Sequence, residues 1–386
     1  MAKQQHIDIV IIGAGIAGLW TFNRFKRMGY DVLLLERDGI GAGQTLASQG
    51  IIHSGLKYAF AGKINKLAQS ISAMPNLWRA ALKGEGDVDL SAAKTNAHSQ
   101  YLLIPGGFMG GLVKLVTKQA LGNNVHQVPK DEWPEEIKRS GFKGCVVFMD
   151  EPVLDAPSVL RALAEPYREC IRKIDSTDDV TSYLERHNID TKHIIYTAAG
   201  SNAVQAQAAD HGEGLNVQHR PLLMGMLKPA PYSLYAHLVG SSDKPVATIT
   251  THAAKDGELV WYLGGGVAER TKESDPREVY SAAKKGFAKY LPEVDLSAVK
   301  WAVLPIDRVE GKSDTDGWMP DTPTIHSVDN THYCWPTKLT FAPLLADRLV
   351  ERIESAPSHT QSDFSNLPEI EYADAPWDIV NWETAE

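Results

Sequence analysis

The sequence is poor in cysteine, has no long apolar run and carries no excess of basic residues. Its 386 residues include three cysteines, Cys145, Cys170 and Cys334. These stand far apart, without the spacing of metal ligands. We therefore predict small buried thiols, no metal site and a reducing compartment.

The missing apolar run argues against a transmembrane segment, since no run reaches the roughly 18–20 residues that cross a bilayer. The first apolar run, Ile7–Ile12, is short and leads directly into glycines, unlike a secretory signal. We expect a cytoplasmic protein and leave a peripheral association with the membrane open.

The charge balance is acidic, with 39 Lys and Arg against 48 Asp and Glu and a formal net charge of −9. A general nucleic-acid binder needs a basic surface to displace counterions from phosphates, so we expect no nucleic-acid partner. The hydrophobic share of 43% and the charged share of 23% are typical of globular proteins. The length allows two domains.

The N-terminus has the pattern of a dinucleotide-binding βαβ unit. A buried strand at 6–12 is followed by a Gly-x-Gly-x-x-Gly turn, a helical apolar period and a second strand that ends at Glu36. In this pattern Gly13 permits the tight turn, Gly15 lets the backbone approach a pyrophosphate, and Gly18 lets the helix pack on the strand. The Glu36 carboxylate can bind a ribose diol and would repel a 2′-phosphate, which disfavours NADP. The motif alone leaves FAD and NAD open.

The next segment favours FAD. Residues 41–58 read GAGQTLASQGIIHSGLKY, which resembles the second flavin signature of the D-amino-acid-oxidase-like superfamily. The resemblance is strongest to the branch that holds L-2-hydroxyglutarate oxidase or dehydrogenase and glycerol-3-phosphate dehydrogenase. Further matches stand at 193–200, 308–311 and 338–343. The resemblance implies an FAD-dependent oxidoreductase.

The same resemblance implies an α/β protein in which a Rossmann-like FAD-binding domain is interleaved with an α+β substrate domain built on an antiparallel sheet. The predicted boundaries are 1–80, 150–210 and 325–365 for the FAD-binding domain, 81–149 and 211–324 for the substrate domain, and 366–386 for a C-terminal tail. Short β-rich runs at 219–226, 245–252 and 258–264 support the second domain. We also predict a helix at 106–121. The tail, with little periodicity after about residue 355, is expected to wrap loosely over the surface.

The motif and the resemblance together imply a set of cofactor-binding residues. These are Gly13, Gly15, Gly18, Glu36, Arg37, Gln44, Thr45, Ser48, Gln49, Ala199, Gly200, Lys338, Leu339 and Thr340. Within this set, the cationic Lys338 could stabilise the anionic reduced flavin.

His53 is the leading candidate for the catalytic base, because imidazole can take a proton at neutral pH and His53 stands at the family's histidine position. The alternative is a histidine that packs against FAD. Lys57 and Tyr58 could line the same side of the flavin.

Arg308 is the leading anchor for a carboxylate or phosphate, because guanidinium pairs with either group in a bidentate manner. A structural salt bridge is the alternative. Arg220 is a second candidate anchor, and Tyr262 completes the candidate substrate-binding set, although for Tyr262 a place in the core is favoured.

Together with these residues, the resemblance implies oxidation of a small anionic substrate at a CH–OH carbon, with FAD as the hydride acceptor. A 2-hydroxy acid of the L-2-hydroxyglutarate type is the first choice, and glycerol 3-phosphate is the second. The family's Arg-Gly-Glu-Tyr reads Arg-Pro-Leu-Leu at 220–223, which leaves the substrate open. One alternative is an amine or amino-acid oxidase; another is a low-turnover flavin-containing binding or RNA-modification partner. Oxygen, a quinone or a protein could reoxidise the flavin.

Overall fold

The structure is a computed structural model that describes residues 4–55, 71–106, 125–175, 179–240, 245–311, 322–336 and 338–384. Two interpretations from the sequence fall outside these ranges. One is the prediction that Lys57 and Tyr58 line the flavin. The other is the predicted helix at 106–121, beyond its first residue.

The strands of the described ranges follow in chain order: β1 (Gln5–Ile12), β2 (Val32–Glu36), β3 (Thr95–Ala97), β4 (Gln100–Pro105), β5 (Val125–Val128), β6 (Gly144–Met149), β7 (Val153–Leu154), β8 (Ile171–Lys173), β9 (Ile189–Tyr196), β10 (Val217–Lys228), β11 (Ala236–Leu238), β12 (Ala247–Ala253), β13 (Leu259–Gly264), β14 (Lys300–Gly311), β15 (Thr324–Val328), β16 (Thr331–Trp335) and β17 (Glu383–Thr384). The α-helices are α1 (Ile16–Arg27), α2 (Met74–Leu82), α3 (Glu135–Arg139), α4 (Ala156–Ala164), α5 (Val180–Arg186), α6 (Gly200–Ala208), α7 (Pro276–Tyr290), α8 (Ala342–Arg352) and α9 (Pro376–Ile379).

The first sheet has the strand order β15-β16-β9-β1-β2-β8. Its pairs are parallel except β15 with β16. A parallel sheet covered on both faces requires continuous apolar strands, which explains the apolar runs of β1 and β2. Helix α1 follows β1 and packs against α8. Its Leu19, Phe22 and Phe25 are fully buried at helical spacing.

The second sheet has the order β17-β14-β10-β13-β12-β11-β4-β6-β5. Its pairs are antiparallel except β11 with β4. Helix α7 covers it and contributes Val279 and Phe287 to the core. The three predicted β-rich runs overlap β10, β12 and β13. Strands of this sheet alternate along the chain with those of the first, so the predicted fold class is confirmed. The domain boundaries stay a prediction.

The C-terminal tail is packed, and the expectation that it wraps loosely is wrong. Phe364, Leu367 and Ile370 are buried in the core of the first sheet. Trp377 is buried against the second sheet, where β17 pairs with β14. The tail therefore contacts both sheets.

All three cysteines are buried and free, as predicted. Among the helices of the described ranges, none has the length and apolar character needed to cross a membrane.

Candidate functional site

Residues of both sheets line one large cavity of about 970 Å³. This volume is at the upper end of the range of about 300–1,000 Å³ that is usual for ligand and cofactor sites. Its wall includes the turn after β1, the end of β2, residues of the loop at 42–53, and residues of β10 and β14.

The glycine turn forms one end of the cavity. Gly13 has a φ of +105°, a conformation that favours glycine. A Cβ on Gly18 would lie 1.8 Å from the carbonyl oxygen of Gly13, so Gly18 gives α1 its close contact with the turn. Gly13 and Gly15 line the cavity, whereas Gly18 packs behind them.

The N-terminus of α1 is suited to an anion. Its N-cap is Gly15, which has no side chain to bond the first amides, and its first turn contains no acidic residue. The Ile16 amide donates to the Thr45 hydroxyl at 3.0 Å. The positive end of the helix dipole thus meets the cavity without a compensating charge from the first turn, as a pyrophosphate site requires.

The Glu36 carboxylate is held at the end of β2 by three backbone amides. Oε2 accepts from Ala14 at 2.6 Å, and Oε1 accepts from Arg37 at 2.7 Å and Asp38 at 3.0 Å. A carboxylate offers about four lone-pair sites, so about one remains for a ligand hydroxyl. Together with the glycine turn, this arrangement fits the dinucleotide that the sequence predicts.

The rest of the predicted cofactor set also reaches the cavity. Its remaining members on the wall are Arg37, Gln44, Thr45, Ser48, Gln49, Ala199, Gly200, Lys338, Leu339 and Thr340. The Gln49 amide donates to the carbonyl oxygens of Thr248 at 3.0 Å and Tyr262 at 2.9 Å, so it also ties the loop to the second sheet.

His53 lies on the cavity wall beside a buried carboxylate that the sequence did not reveal. His53 Nδ1 is 3.3 Å from Glu151 Oε2. Glu151 Oε1 accepts from the backbone amide and the hydroxyl of Ser54, both at 2.8 Å. Burial raises the pKa of Glu151, but its hydrogen bonds and the charges of His53 and His237 outweigh this and lower it well below its usual range.

His237, on β11, is the second histidine of this region. It is buried, lines the cavity and hydrogen-bonds the Thr248 hydroxyl at 2.9 Å through Nδ1. Its ring centroid is 6.1 Å from that of His53. His53, Glu151 and His237 each offer one nitrogen or oxygen atom, and these three atoms lie within 4.8 Å of one another. This spacing is close enough for metal ligands. No motif marks Glu151 or His237, because only the fold brings them to His53.

Arg220 and Arg308 are direct cross-strand neighbours on β10 and β14. Arg220 is 3.4 Å from the buried Glu310 carboxylate, which also accepts from Gln218 at 3.2 Å. The two guanidinium groups thus reach the cavity wall beside the carboxylates of Glu310 and Asp307, and Asp307 pairs with His219 at 2.6 Å. Like charges directly opposite each other repel, so an anion placed between them would stabilise this part of the sheet.

Tyr262 does not fit the predicted substrate-binding set. The side chain is fully buried, and its hydroxyl donates to the carbonyl oxygen of Ala47 at 2.8 Å. It lies behind the cavity wall. This corrects the candidate role and supports the core position that the sequence favoured.

A comparison with protein families finds a match to the family described as FAD dependent oxidoreductase over residues 8–352. The chain is 34% identical to the probable FAD-dependent oxidoreductase PA4991 of Pseudomonas aeruginosa, over 98% of this chain and 100% of that protein. The crystal structure of PA4991 superposes with a TM-score of 0.82 and 30% identity, covering 98% of this chain and 99% of that one.

More distant structures share the fold. Glycine oxidase from Geobacillus kaustophilus matches with a TM-score of 0.65 and 15% identity, over 96% of this chain and 100% of that one. L-alpha-glycerophosphate oxidase from Mycoplasma pneumoniae, solved with FAD bound, matches with a TM-score of 0.64 and 12% identity, over 96% of this chain and 99% of that one.

Proposed function

Because the chain belongs to the family of FAD-dependent oxidoreductases, we propose that it oxidises a small anionic substrate at a CH–OH carbon. The observation that carries this proposal is the cross-strand pair of Arg220 and Arg308 on the wall of the cavity that also contains His53. An anion site and a proton acceptor in one cavity are the two protein functions that such an oxidation needs.

FAD, when bound, accepts the hydride that leaves the substrate carbon. We propose that Glu36 binds a ribose hydroxyl and that the backbone at Gly13 and Gly15, with the N-terminus of α1, binds the pyrophosphate. We place Lys338 near the flavin, where its positive charge would stabilise the reduced, anionic form.

His53 takes the proton from the substrate hydroxyl in this proposal. The substrate loses a hydride from carbon and a proton from oxygen, and the C–O single bond becomes a carbonyl. The imidazole then carries the proton, and the neighbouring Glu151 carboxylate balances the charge.

A 2-hydroxy acid is the first candidate substrate, because a planar carboxylate can form bidentate pairs with guanidinium groups. Glycerol 3-phosphate is the second, since its phosphate can pair in the same way.

Glu310 supports a second candidate function, the oxidation of an amino acid. Its buried carboxylate lies beside Arg220 on the cavity wall and could accept hydrogen bonds from a substrate ammonium group. The adjacent guanidinium groups would then bind the substrate carboxylate.

Anaerobic mixing of the purified flavoprotein with 2-hydroxy acids, glycerol 3-phosphate and amino acids tests these proposals, with the oxidised flavin band followed at about 450 nm. Rapid bleaching by a 2-hydroxy acid supports the first candidate. Bleaching by amino acids alone would support the second candidate function, the oxidation of an amino acid. Flavin that no compound bleaches would favour a low-turnover binding or RNA-modification partner. Reoxidation of the flavin by oxygen or by a quinone can then be followed in the same cuvette.

A further inference from the structure

We infer that Glu151 is a positioning residue that holds the imidazole of His53 through Nδ1 and so presents Nε2 to the substrate. This inference rests on the proposed function, in which His53 accepts the substrate proton. It assigns a role to a buried carboxylate that belongs to no sequence motif.

The Glu151 carboxylate is held in place by hydrogen bonds other than its contact with His53. One of its oxygens accepts both donors of Ser54, the residue that follows His53, at 2.8 Å each. The backbone amide of His53 donates to the Thr340 hydroxyl at 3.2 Å. The main chain around His53 is therefore tied on two sides, and the second oxygen of Glu151 lies 3.3 Å from Nδ1. This local network sets the direction of the ring.

The burial of Glu151 supports the same conclusion. Only 1% of its surface is exposed, and a buried carboxylate is costly unless donors and a positive charge accompany it. The titratable groups that face it are His53 and His237, and Gln100 Nε2 lies 3.5 Å from Oε2. When the imidazole accepts a proton, the imidazolium and the Glu151 carboxylate form an ion pair with no net charge. This pairing favours proton transfer to His53.

The hydrogen bonds argue against a metal ion as the main occupant of this cluster. One carboxylate oxygen is already used by Ser54, and the other is within reach of His53 Nδ1 and Gln100. A metal bound by His53, Glu151 and His237 would have to compete with the contacts that the second Glu151 oxygen makes with His53 and Gln100. Metal content is therefore an outcome that the experiment must measure.

The substitution Glu151→Gln makes a specific prediction about the imidazole tautomer. Both Ser54 groups are donors, so the carbonyl oxygen of the introduced amide should stay with them. The amide NH2 then points at Nδ1, which must become an acceptor. The neutral ring consequently carries its proton on Nε2, the nitrogen that the proposal needs as the proton acceptor.

Two readouts test the inference on the FAD-loaded protein. The nitrogen-15 chemical shifts of the His53 ring can be assigned by their loss in His53→Asn. In the neutral ring they should show the proton on Nδ1 in the parent and on Nε2 in Glu151→Gln. With a substrate found by the panel, the limiting rate of flavin reduction should fall about 10²–10⁴-fold, as expected for a wrong tautomer, while the apparent substrate affinity stays nearly constant. In a His53→Asn background, Glu151→Gln should cause little further loss.

Asp150→Asn is the matched control, because it removes the neighbouring carboxylate, which pairs with Arg79. It should keep both the tautomer and the limiting rate. Should Glu151→Gln not fold, Glu151→Asp keeps the charge and should keep the Nδ1 proton. An unchanged tautomer in Glu151→Gln would overturn the inference, as would stoichiometric metal in the parent that the substitution removes. The tautomer readout needs no substrate, so it stands even if no compound of the panel reduces the flavin.

Discussion

At the scale of single residues, His53 is the side chain whose replacement should separate chemistry from cofactor binding. His53→Asn keeps some hydrogen-bonding shape and loses the proton acceptor. We expect FAD to stay bound and flavin reduction to slow by about 10²–10⁴-fold. Anaerobic stopped-flow at several substrate concentrations gives the limiting rate. A variant that reduces as fast as the parent would leave His53 with a packing role and make Lys57 and Tyr58 the next candidates.

Arg308→Lys should act on binding and orientation instead. Lysine keeps the charge and loses the planar fork that pairs with a carboxylate or phosphate. The apparent substrate affinity should weaken in the same stopped-flow series, and the limiting rate should fall less than in His53→Asn. If both parameters stay unchanged, Arg220 becomes the candidate anchor, or the substrate is not an anion.

Glu36→Ala should weaken FAD binding, because the ribose loses a charged acceptor. A hydrogen bond to a charged group contributes about 1.5–3 kcal/mol. The carboxylate also accepts from three backbone amides, so the apoprotein should melt at a lower temperature as well. Titration of the apoprotein with FAD and a melting curve without FAD measure the two effects separately. An unchanged FAD affinity would exclude Glu36 as the ribose ligand.

Residues that follow one another in a local motif could be predicted from the sequence, and residues that meet only in the fold could not. Glu36 was found because the strand and turn around it form a continuous pattern. Glu151 is 98 residues from His53 along the chain, and nothing in its neighbourhood marks it as a partner. Tyr262 is a candidate for the substrate set on the sequence alone, whereas in the fold its hydroxyl donates to the Ala47 carbonyl oxygen in the core.

At the scale of elements, the contact between α1 and the glycine turn leaves no room for a side chain. Gly18→Ala would place a Cβ 1.8 Å from the Gly13 carbonyl oxygen and 2.7 Å from the Thr197 hydroxyl. Because the first of these atoms is backbone, the helix must move away from β1. We expect a lower melting temperature and less bound FAD after purification. Gly106→Ala is the control, since none of the residues that the structure describes lies within 4 Å of the Cβ it adds. Equal FAD content in both variants would contradict the close-packing role.

The pairing of elements was harder to predict than their existence. The β-rich runs at 219–226, 245–252 and 258–264 were visible in the composition. The register that sets Arg220 opposite Arg308 was not, because β11, β12 and β13 lie between these two paired strands along the chain. The same register places Glu310 opposite Gln218 and so determines which charges meet on the cavity wall.

At the scale of the whole molecule, the tail is the feature that the sequence described least well. Its apolar residues, Phe364, Leu367, Ile370 and Trp377, follow neither a helical nor a strand period, so no element was predicted. Their burial depends on surfaces built by the rest of the chain. The tail thus packs on the core of the first sheet and adds β17 to the edge of the second.

Asp8 on β1 ties this tail to the first sheet. Its carboxylate accepts from the Asp31 amide at 2.9 Å, the Ser358 amide at 3.0 Å, the Ser358 hydroxyl at 2.6 Å and the Lys192 ammonium at 2.7 Å. Burial raises the pKa of Asp8, but Lys192 and the hydrogen bonds from Ser358 and Asp31 outweigh this and lower it from 3.8 to about 2. The ionised form is therefore the one that stabilises the fold.

Asp8→Asn should lower the free energy of unfolding near neutral pH by about 1.5–3 kcal/mol, through loss of hydrogen bonds to a charged group. A depressed pKa contributes stability above the unfolded value of 3.8, and this contribution is lost as the pH falls toward 2. The difference between the parent and Asp8→Asn should therefore narrow between about pH 5 and about pH 2 in urea denaturation. Asp190→Asn, which removes an exposed carboxylate from β9, should change stability little at any pH. An Asp8→Asn protein as stable as the parent at neutral pH would show that this carboxylate does not hold the tail.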